Sequence, residues 1–141
     1  MTDRYNPKVI EHLVRPQNVG DLDRPDGVGE SGDAACGDVA RFTVTVSAKR
    51  LAGVRYKVYG CVACIAAGSA LSALVRESHL LEAARVSKDD LEAELGGSLP
   101  EGKEHALTLV LDALHKALED YWNREAGSML VNGYEKADAS G

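Results

Sequence analysis

The chain has 141 residues, of which 45% are hydrophobic, and a formal net charge of −6 at pH 7. This length and apolar content fit one folded domain and exclude a chain that is disordered throughout. The acidic balance argues against a nucleic-acid-binding protein, which normally presents a basic face. Because no apolar run approaches the ~20 residues of a membrane span and the polar start lacks a signal-peptide core, the sequence predicts a cytoplasmic protein without a membrane partner.

The first part of the chain predicts one short helix followed by an irregular stretch. Apolar residues recur at helical spacing within residues 5–14, and Pro7 stands in the first turn, where proline is tolerated. Residues 15–32 are rich in Pro, Gly and Asp. They predict mostly loop, with an edge strand near Val28.

Two strand patterns come next. In residues 41–46 and 51–59, apolar side chains alternate with polar ones, which is typical of strands with one buried face. The connection at residues 47–50 is short and polar, so the pair is expected to form an antiparallel hairpin. Together with the edge strand near Val28, the hairpin makes a sheet of three strands.

The second half of the chain predicts helices. Residues 62–77 are almost all apolar or small, which indicates a helix buried against the sheet. Ser87 begins a capping pattern for a short helix that ends at Gly96. Residues 103–125 carry the longest helical stripe, and beyond Gly127 the periodicity fades.

The order of these elements predicts an α+β fold, with helices packed on one face of a small antiparallel three-stranded sheet. We expect one domain over residues 1–127, followed by a flexible tail over residues 128–141.

The three cysteines are the first indication of function. A reducing compartment disfavours structural disulfides, which leaves metal binding, thiol chemistry or burial. Cys61 and Cys64 lie where a strand pattern gives way to a helix pattern, and Cys36 precedes another strand pattern. A polar tripeptide, residues 103–105, begins the last long helix. We expect these segments to converge on one metal or iron–sulfur site.

Four stretches of the chain carry a recognisable pattern. They are Tyr5 with Lys8-Val9-Ile10-Glu11-His12 and Pro16-Gln17-Asn18-Val19-Gly20, then Ala35-Cys36-Gly37-Asp38, then Tyr59-Gly60-Cys61, and last Leu99-Pro100 with Lys103-Glu104-His105. In this order they resemble the N-terminal signature and the three ligand regions of the IscU/NifU-type iron–sulfur cluster scaffold family. The resemblance covers roughly residues 4–125.

The resemblance implies an IscU/NifU N-terminal-like fold of the SufE/NifU type. It also implies a non-enzymatic scaffold or carrier, which accepts sulfur from a cysteine desulfurase, binds iron and passes a [2Fe–2S]-type cluster to apo-proteins. A chaperone is a further implied partner, at residues 99–103.

The resemblance implies that Cys36, Asp38, Cys61 and the region of His105 surround one site. Thiolates and imidazole suit iron–sulfur clusters and Zn²⁺, while a carboxylate is a harder, weaker ligand that fits a cluster meant to be released. Three neighbours are expected to support the site: Gly37 and Gly60 through the backbone, and Lys103 through its charge. The remaining histidines, His12, His79 and His115, are expected to be ordinary surface or interface residues.

The chain departs from the family pattern at two positions. Where the family has a third cysteine directly after the histidine, this chain has Ala106, and Cys64 stands where the family usually has a small residue without a thiol. Cys64 lies about one helical turn after Cys61, so its thiolate is a candidate for the missing ligand. The alternatives are that His105 is the ligand, or that Cys64 only packs in the core.

Two other functions remain open at this point. One is a zinc-bound sulfur acceptor resembling SufU, in which Zn²⁺ activates or protects the receiving cysteine. The other is a dithiol redox protein that uses Cys61-Val62-Ala63-Cys64, although the parallel βαβ context expected for that motif is absent.

Overall fold

The computed structural model describes residues 5–33 and 37–140, with side chains described in 5–32 and 37–127. Within these residues the elements are α1 (Pro7–Val14), β1 (Gly27–Asp33), β2 (Asp38–Ser47), β3 (Arg50–Tyr59), α2 (Val62–Val75), α3 (Leu80–Ala84), α4 (Lys88–Glu94) and α5 (His105–Ser140). The strands form an antiparallel sheet in the order β1-β2-β3. The predicted α+β fold is confirmed.

The β2–β3 hairpin is the predicted one. Phe42 pairs with Tyr56, and a register shift lies between Thr45 and Val46. Ala48 and Lys49 form the turn, both with positive φ, at 52° and 63°. Two successive left-handed residues match the twist of a tight hairpin, so this turn joins the strands without splaying them.

One face of the sheet carries the hydrophobic core. Phe42, Val44 and Tyr56 are buried on it, and the rings of Phe42 and Tyr56 stack with centroids 6.0 Å apart. Gly68 of α2 lies so close to the Tyr56 ring that a side chain there would collide with it. The mostly apolar helix α2 therefore packs directly on the sheet, as predicted.

Helix α5 lies equally close to β1. A Cβ atom on Gly27 or Gly29 would collide with the backbone carbonyl oxygen of Ala117 or Ala113, respectively. The contact is extended by the carboxylate of Asp120, which accepts a hydrogen bond from the backbone N–H of Val28 at 2.9 Å. Glycine at these two strand positions is what allows the helix backbone to contact the strand.

The predicted loop before β1 is mostly irregular but well anchored. It runs along the free edge of β3, where the Tyr56 N–H donates to Asn18 and the Gly20 N–H donates back to Tyr56. It then crosses the other sheet face, where the backbone N–H of Leu22 donates to Thr43 Oγ1 at 3.0 Å. The edge strand expected near Val28 is present as β1.

Capping side chains fix where the short helices α1 and α4 begin. The Asn6 side chain accepts hydrogen bonds at the start of α1, and Ser87 forms the predicted capping box with Asp90 at the start of α4. Helix α3 was not predicted, because five residues are too few to show helical periodicity. His12 is buried at 7% exposure, so the surface position expected for it is wrong.

Helix α5 is longer than predicted. Its backbone stays helical to Ser140, so the expected helix end near residue 125 is wrong. The segment contains no proline, and an isolated glycine in a helix costs only about 1 kcal/mol relative to alanine. The division into a domain over 1–127 and a tail over 128–141 stays a prediction. Over the described residues, no helix has the length and apolarity that crossing a lipid bilayer requires.

Candidate metal centre

Four side chains from three elements meet at one end of the sheet. Asp38 begins β2, Cys61 is the N-cap of α2, Cys64 lies in the first turn of α2, and His105 begins α5. One ligand atom from each lies within 4.8 Å of the others. We call this group the metal centre.

The turn between β3 and α2 brings the two cysteines to Asp38. Gly60 makes this turn with φ of 151°, and a Cβ atom there would collide with Asp38 Oδ1. Gly37, with φ of 75°, makes the matching turn into β2. Both glycines predicted to support the site therefore have a backbone reason to be glycine.

The Asp38 carboxylate is the hub of the metal centre. Its Oδ1 accepts a hydrogen bond from the Cys61 backbone N–H at 3.0 Å, and its Oδ2 accepts one from the Cys64 thiol at 3.4 Å. His105 Nε2 lies 3.1 Å from the same Oδ2. Burial alone raises the pKa of Asp38, but the hydrogen bonds from His105, Cys64 and Cys61 outweigh it and hold that pKa below its usual value.

The two thiols differ sharply in exposure. Cys61 is half-buried, whereas Cys64 is fully buried. Their sulfur atoms are 3.2 Å apart, with the Cys61 thiol donating to Cys64, and both are free. Burial foremost, and then the hydrogen bond with Cys61 and the nearby Asp38, raise the pKa of the Cys64 thiol. A metal bound there must therefore displace the Cys64 proton.

His105 lies between two hydrogen-bond acceptors. Its Nδ1 is 3.2 Å from the Gly102 carbonyl oxygen, and its Nε2 faces Asp38 Oδ2. A neutral imidazole has one N–H and can donate to only one of them. A metal held by His105 and Asp38 would leave Nδ1–H free to donate to the Gly102 carbonyl, which would orient the ring. Sequence reasoning missed the Gly102 carbonyl, although the composition of residues 99–102 indicated a loop there; in the structure Gly102 has a φ of 86°.

Two further residues were predicted at the site, Cys36 and Lys103, and Ala106 was the departure from the family pattern. Cys36 lies outside the described residues, so its placement is not tested. Lys103 is half-buried, and among the described side chains Asp38 pairs with His105 rather than with Lys103. Ala106, at the position of the missing thiol, is fully buried in the core.

Comparisons with known proteins identify the family of this chain. The profile of the NifU-like N terminal domain matches residues 4–128. The bifunctional protein NifU/MnmA of Rubrobacter xylanophilus is 55% identical over 142 residues, which cover 100% of this chain and 29% of that protein. The iron-sulfur cluster assembly scaffold protein IscU of Aquifex aeolicus is 37% identical, over 98% of this chain and 91% of its own length.

A solved structure supports the fold. The N-terminal NifU-like protein from Brucella abortus superposes with a TM-score of 0.67, covering 86% of this chain and 96% of that one. At 20% identity this likeness is one of fold. The family profile and the A. aeolicus relative together decide the assignment, and the chain belongs to the IscU/NifU-type iron–sulfur cluster scaffold family as a NifU-like N-terminal domain.

Proposed function

We propose that this protein is a scaffold on which an iron–sulfur cluster is assembled and then passed on. In this proposal it accepts sulfur from a cysteine desulfurase, binds iron at the metal centre and transfers a [2Fe–2S]-type cluster to apo-proteins. The observation that carries the proposal is the metal centre itself, where two thiols, an imidazole and a carboxylate lie within 4.8 Å.

The donor set suits a cluster that is cargo. Thiolates and imidazole bind iron firmly, whereas a carboxylate oxygen is a harder and weaker partner for a cluster iron. In the metal-free protein, Asp38 accepts hydrogen bonds from the Cys61 backbone and the Cys64 thiol and lies against His105. When Asp38 releases a metal, these contacts replace the lost metal bond. This exchange lowers the cost of letting the cargo go.

Exposure also favours transfer. Cys61 and His105 are half-buried, with 30% of the His105 side chain exposed, while Asp38 and Cys64 are buried behind them. A cluster bound here has an inner wall of Asp38 and Cys64 and an outer edge that an acceptor protein can reach. The loop at residues 99–103, beside His105, is the proposed contact for a chaperone.

Cys64 is the proposed replacement for the thiolate missing at Ala106. Ala106 has no donor atom, and its side chain is buried. The Cys64 sulfur lies 3.2 Å from Cys61 Sγ and 3.4 Å from Asp38 Oδ2, within reach of the same metal. The third thiolate would thus come from α2 instead of α5. Cys36, two residues before Asp38 in the chain, is the proposed remaining thiolate ligand.

Anaerobic reconstitution with ferrous iron and sulfide tests this proposal. We expect a coloured protein with about two iron ions and two acid-labile sulfides per chain. Cys64→Ala should lose the visible bands, and adding Ala106→Cys to that variant should restore them. If Cys64→Ala keeps its spectrum while His105→Ala loses it, histidine is the ligand and Cys64 is only core.

A zinc-bound sulfur acceptor is the second candidate function. Cys61, Cys64, His105 and Asp38 supply four ligands of the types that tetrahedral Zn²⁺ accepts. In that case the metal is resident, and one cysteine leaves it to receive sulfur. A colourless purified protein with one tightly held zinc, and with no cluster after reconstitution, would select this function over the first.

A further inference from the structure

The pairing of Cys61 with Cys64 offers a reaction in addition to ligation. The two sulfur atoms are 3.2 Å apart, which is hydrogen-bond contact and longer than the ~2.05 Å of a disulfide bond. The outer thiol is half-buried and the inner one fully buried. A reagent from solvent therefore meets Cys61 first, and Cys64 meets what Cys61 has received.

We propose that Cys64 resolves a persulfide carried by Cys61 and thereby releases sulfide within the metal centre. This inference rests on the proposed function, because it takes the sulfur acceptance proposed above and assigns it to Cys61. Sulfur arrives from a persulfide donor at the oxidation level of sulfane sulfur, whereas a cluster needs sulfide. The two electrons that separate these states come from the dithiol of this chain.

The step balances in atoms and electrons. The Cys64 sulfur attacks Cys61 Sγ, the inner sulfur of the persulfide, so the Cys61–Cys64 S–S bond forms and the S–S bond to the terminal sulfur breaks. The Cys64 sulfur is oxidised to the disulfide level, and the terminal sulfur leaves reduced as hydrosulfide. The Cys64 proton ends on the hydrosulfide, so persulfide and thiol become disulfide and H₂S.

The contacts of Cys61 suit it to receive sulfur. It is the N-cap residue of α2 but makes no side-chain capping hydrogen bond, so its sulfur is not committed to the backbone. Half-burial leaves this sulfur accessible to a donor protein.

The contacts of Cys64 suit it to resolve. Its thiol donates to Asp38 Oδ2 at 3.4 Å, and this contact holds the Cys64 sulfur beside Cys61 Sγ. Full burial protects the sulfur from outside reagents and leaves Cys61 as its sulfur partner among the described residues. The hydrosulfide leaves beside Asp38 and His105, where iron is proposed to bind. A dithiol reductant then reopens the disulfide for another cycle.

Toluenethiosulfonate tests the step, since it gives one sulfane sulfur to a thiolate, leaves as a sulfinate and contains no free sulfide. The reduced, metal-free full chain is treated anaerobically, and released sulfide and mapped peptide masses are measured. We expect about one sulfide per chain and a Cys61–Cys64 disulfide from the wild type. Cys64→Ser keeps a similar size and the contact with Asp38 but cannot attack, so sulfide release should fall at least ~10-fold and Cys61 should keep an added sulfur atom.

A second variant guards against misfolding. Cys64→Ser with Ala106→Cys restores a thiol on α5 rather than α2, and circular dichroism checks that both variants fold. Sulfide release equal to wild type from Cys64→Ser, a persulfide that persists on wild-type Cys61, or a disulfide that maps elsewhere overturns the proposal. Reconstitution from iron and inorganic sulfide bypasses the persulfide. A wild type that forms a cluster this way yet keeps its persulfide therefore disproves the resolving step and leaves the scaffold function standing.

Discussion

Helix α2 carries two polar clusters, and they are built in opposite ways. The metal centre lies at its N-terminus. In its middle lies a second group, the serine cluster, where Ser69 Oγ is 2.7 Å from His12 Nδ1 and accepts the Gln17 backbone N–H at 2.8 Å. Ser72 Oγ donates to the Ser69 carbonyl at 2.7 Å and accepts from the Asn18 side chain at 3.1 Å.

The difference separates a structural cluster from a chemical one. In the serine cluster, oxygen and nitrogen atoms donate and accept in turn around the buried side chains of Ser69, Ser72 and His12, and these bonds tie the chain after α1 to α2. In the metal centre, several groups contact the single carboxylate of Asp38, and the two cysteine sulfur atoms are in contact with each other. Cys61 and His105 are partly exposed to solvent. Satisfied hydrogen bonds stabilise a fold, whereas sulfur and nitrogen ligands around a buried carboxylate, two of them partly exposed, can exchange partners.

The largest effect is expected from Cys61→Ser. Bound iron after anaerobic reconstitution should fall about tenfold or more, because a hydroxyl replaces a thiolate in a site of few ligands. The free energy of unfolding of the metal-free protein should change little, since Cys61 is only half-buried. Iron analysis measures the first effect, and urea denaturation measures the second. Full iron content in this variant would contradict the shared site.

Ser69→Ala should have the opposite effect, lowering the free energy of unfolding and leaving iron binding unchanged. It removes the partner of buried His12 and of the Gln17 N–H, so we expect a loss of about 2–4 kcal/mol in unfolding free energy with the ligands untouched. Urea denaturation measures the loss, and iron content per folded chain should stay at the wild-type level. Ser98→Ala, at an exposed serine, is the control and should stay within about 0.5 kcal/mol of wild type.

Gly60→Ala should affect both stability and ligand geometry, to a smaller extent. A Cβ there collides with Asp38 and stands at positive φ, for an expected cost of about 1–3 kcal/mol. Gly97→Ala is matched to it, because its φ is 139° and no atom lies within 4 Å of the added Cβ. Equal losses in the two variants, with equal cluster yield, would show that the collision with Asp38 is unimportant.

The smallest expected effect is on the acid stability of the metal-free protein. Because the pKa of Asp38 is lowered in the folded state, its contribution is present above the ordinary value of 3.8 and is lost as the pH falls through the folded pKa. Asp38→Asn should therefore flatten the decline of unfolding free energy below about pH 4. Ser69→Ala should keep the wild-type slope there. Denaturation at several pH values distinguishes the two.

The sequence predicted most of the sheet and helices because their patterns are local. Alternation and a short polar turn were sufficient for the β2–β3 hairpin, and the capping box located the start of α4. Helix α3 was too short to be periodic, and the extension of α5 past Gly127 has no strong apolar stripe. The burial of His12 depends on Ser69, a partner 57 residues away, which no local pattern reveals.

For the metal centre, the family resemblance indicated Cys36, Asp38, Cys61 and His105, and Cys64 was a candidate for the missing thiolate. The structure brings Asp38, Cys61, Cys64 and His105 together, while Cys36 lies outside the described residues. Their role as ligands remains a proposal. What the sequence could not supply was the arrangement: which oxygen of Asp38 faces which partner, and the Gly102 carbonyl behind His105. These depend on two glycine turns and a helix start that lie far apart in the chain.

The close approach of Gly29 to α5 links strand β1 to the position of the residues at the start of that helix. His105 begins the helix whose Ala113 carbonyl contacts that glycine, about 12 Å further along the axis. A side chain added at Gly29 would collide with the backbone of α5, so the strand and the helix would have to move apart there. Because His105 begins the same helix, we expect such a substitution to change the distance between His105 and Asp38 as well.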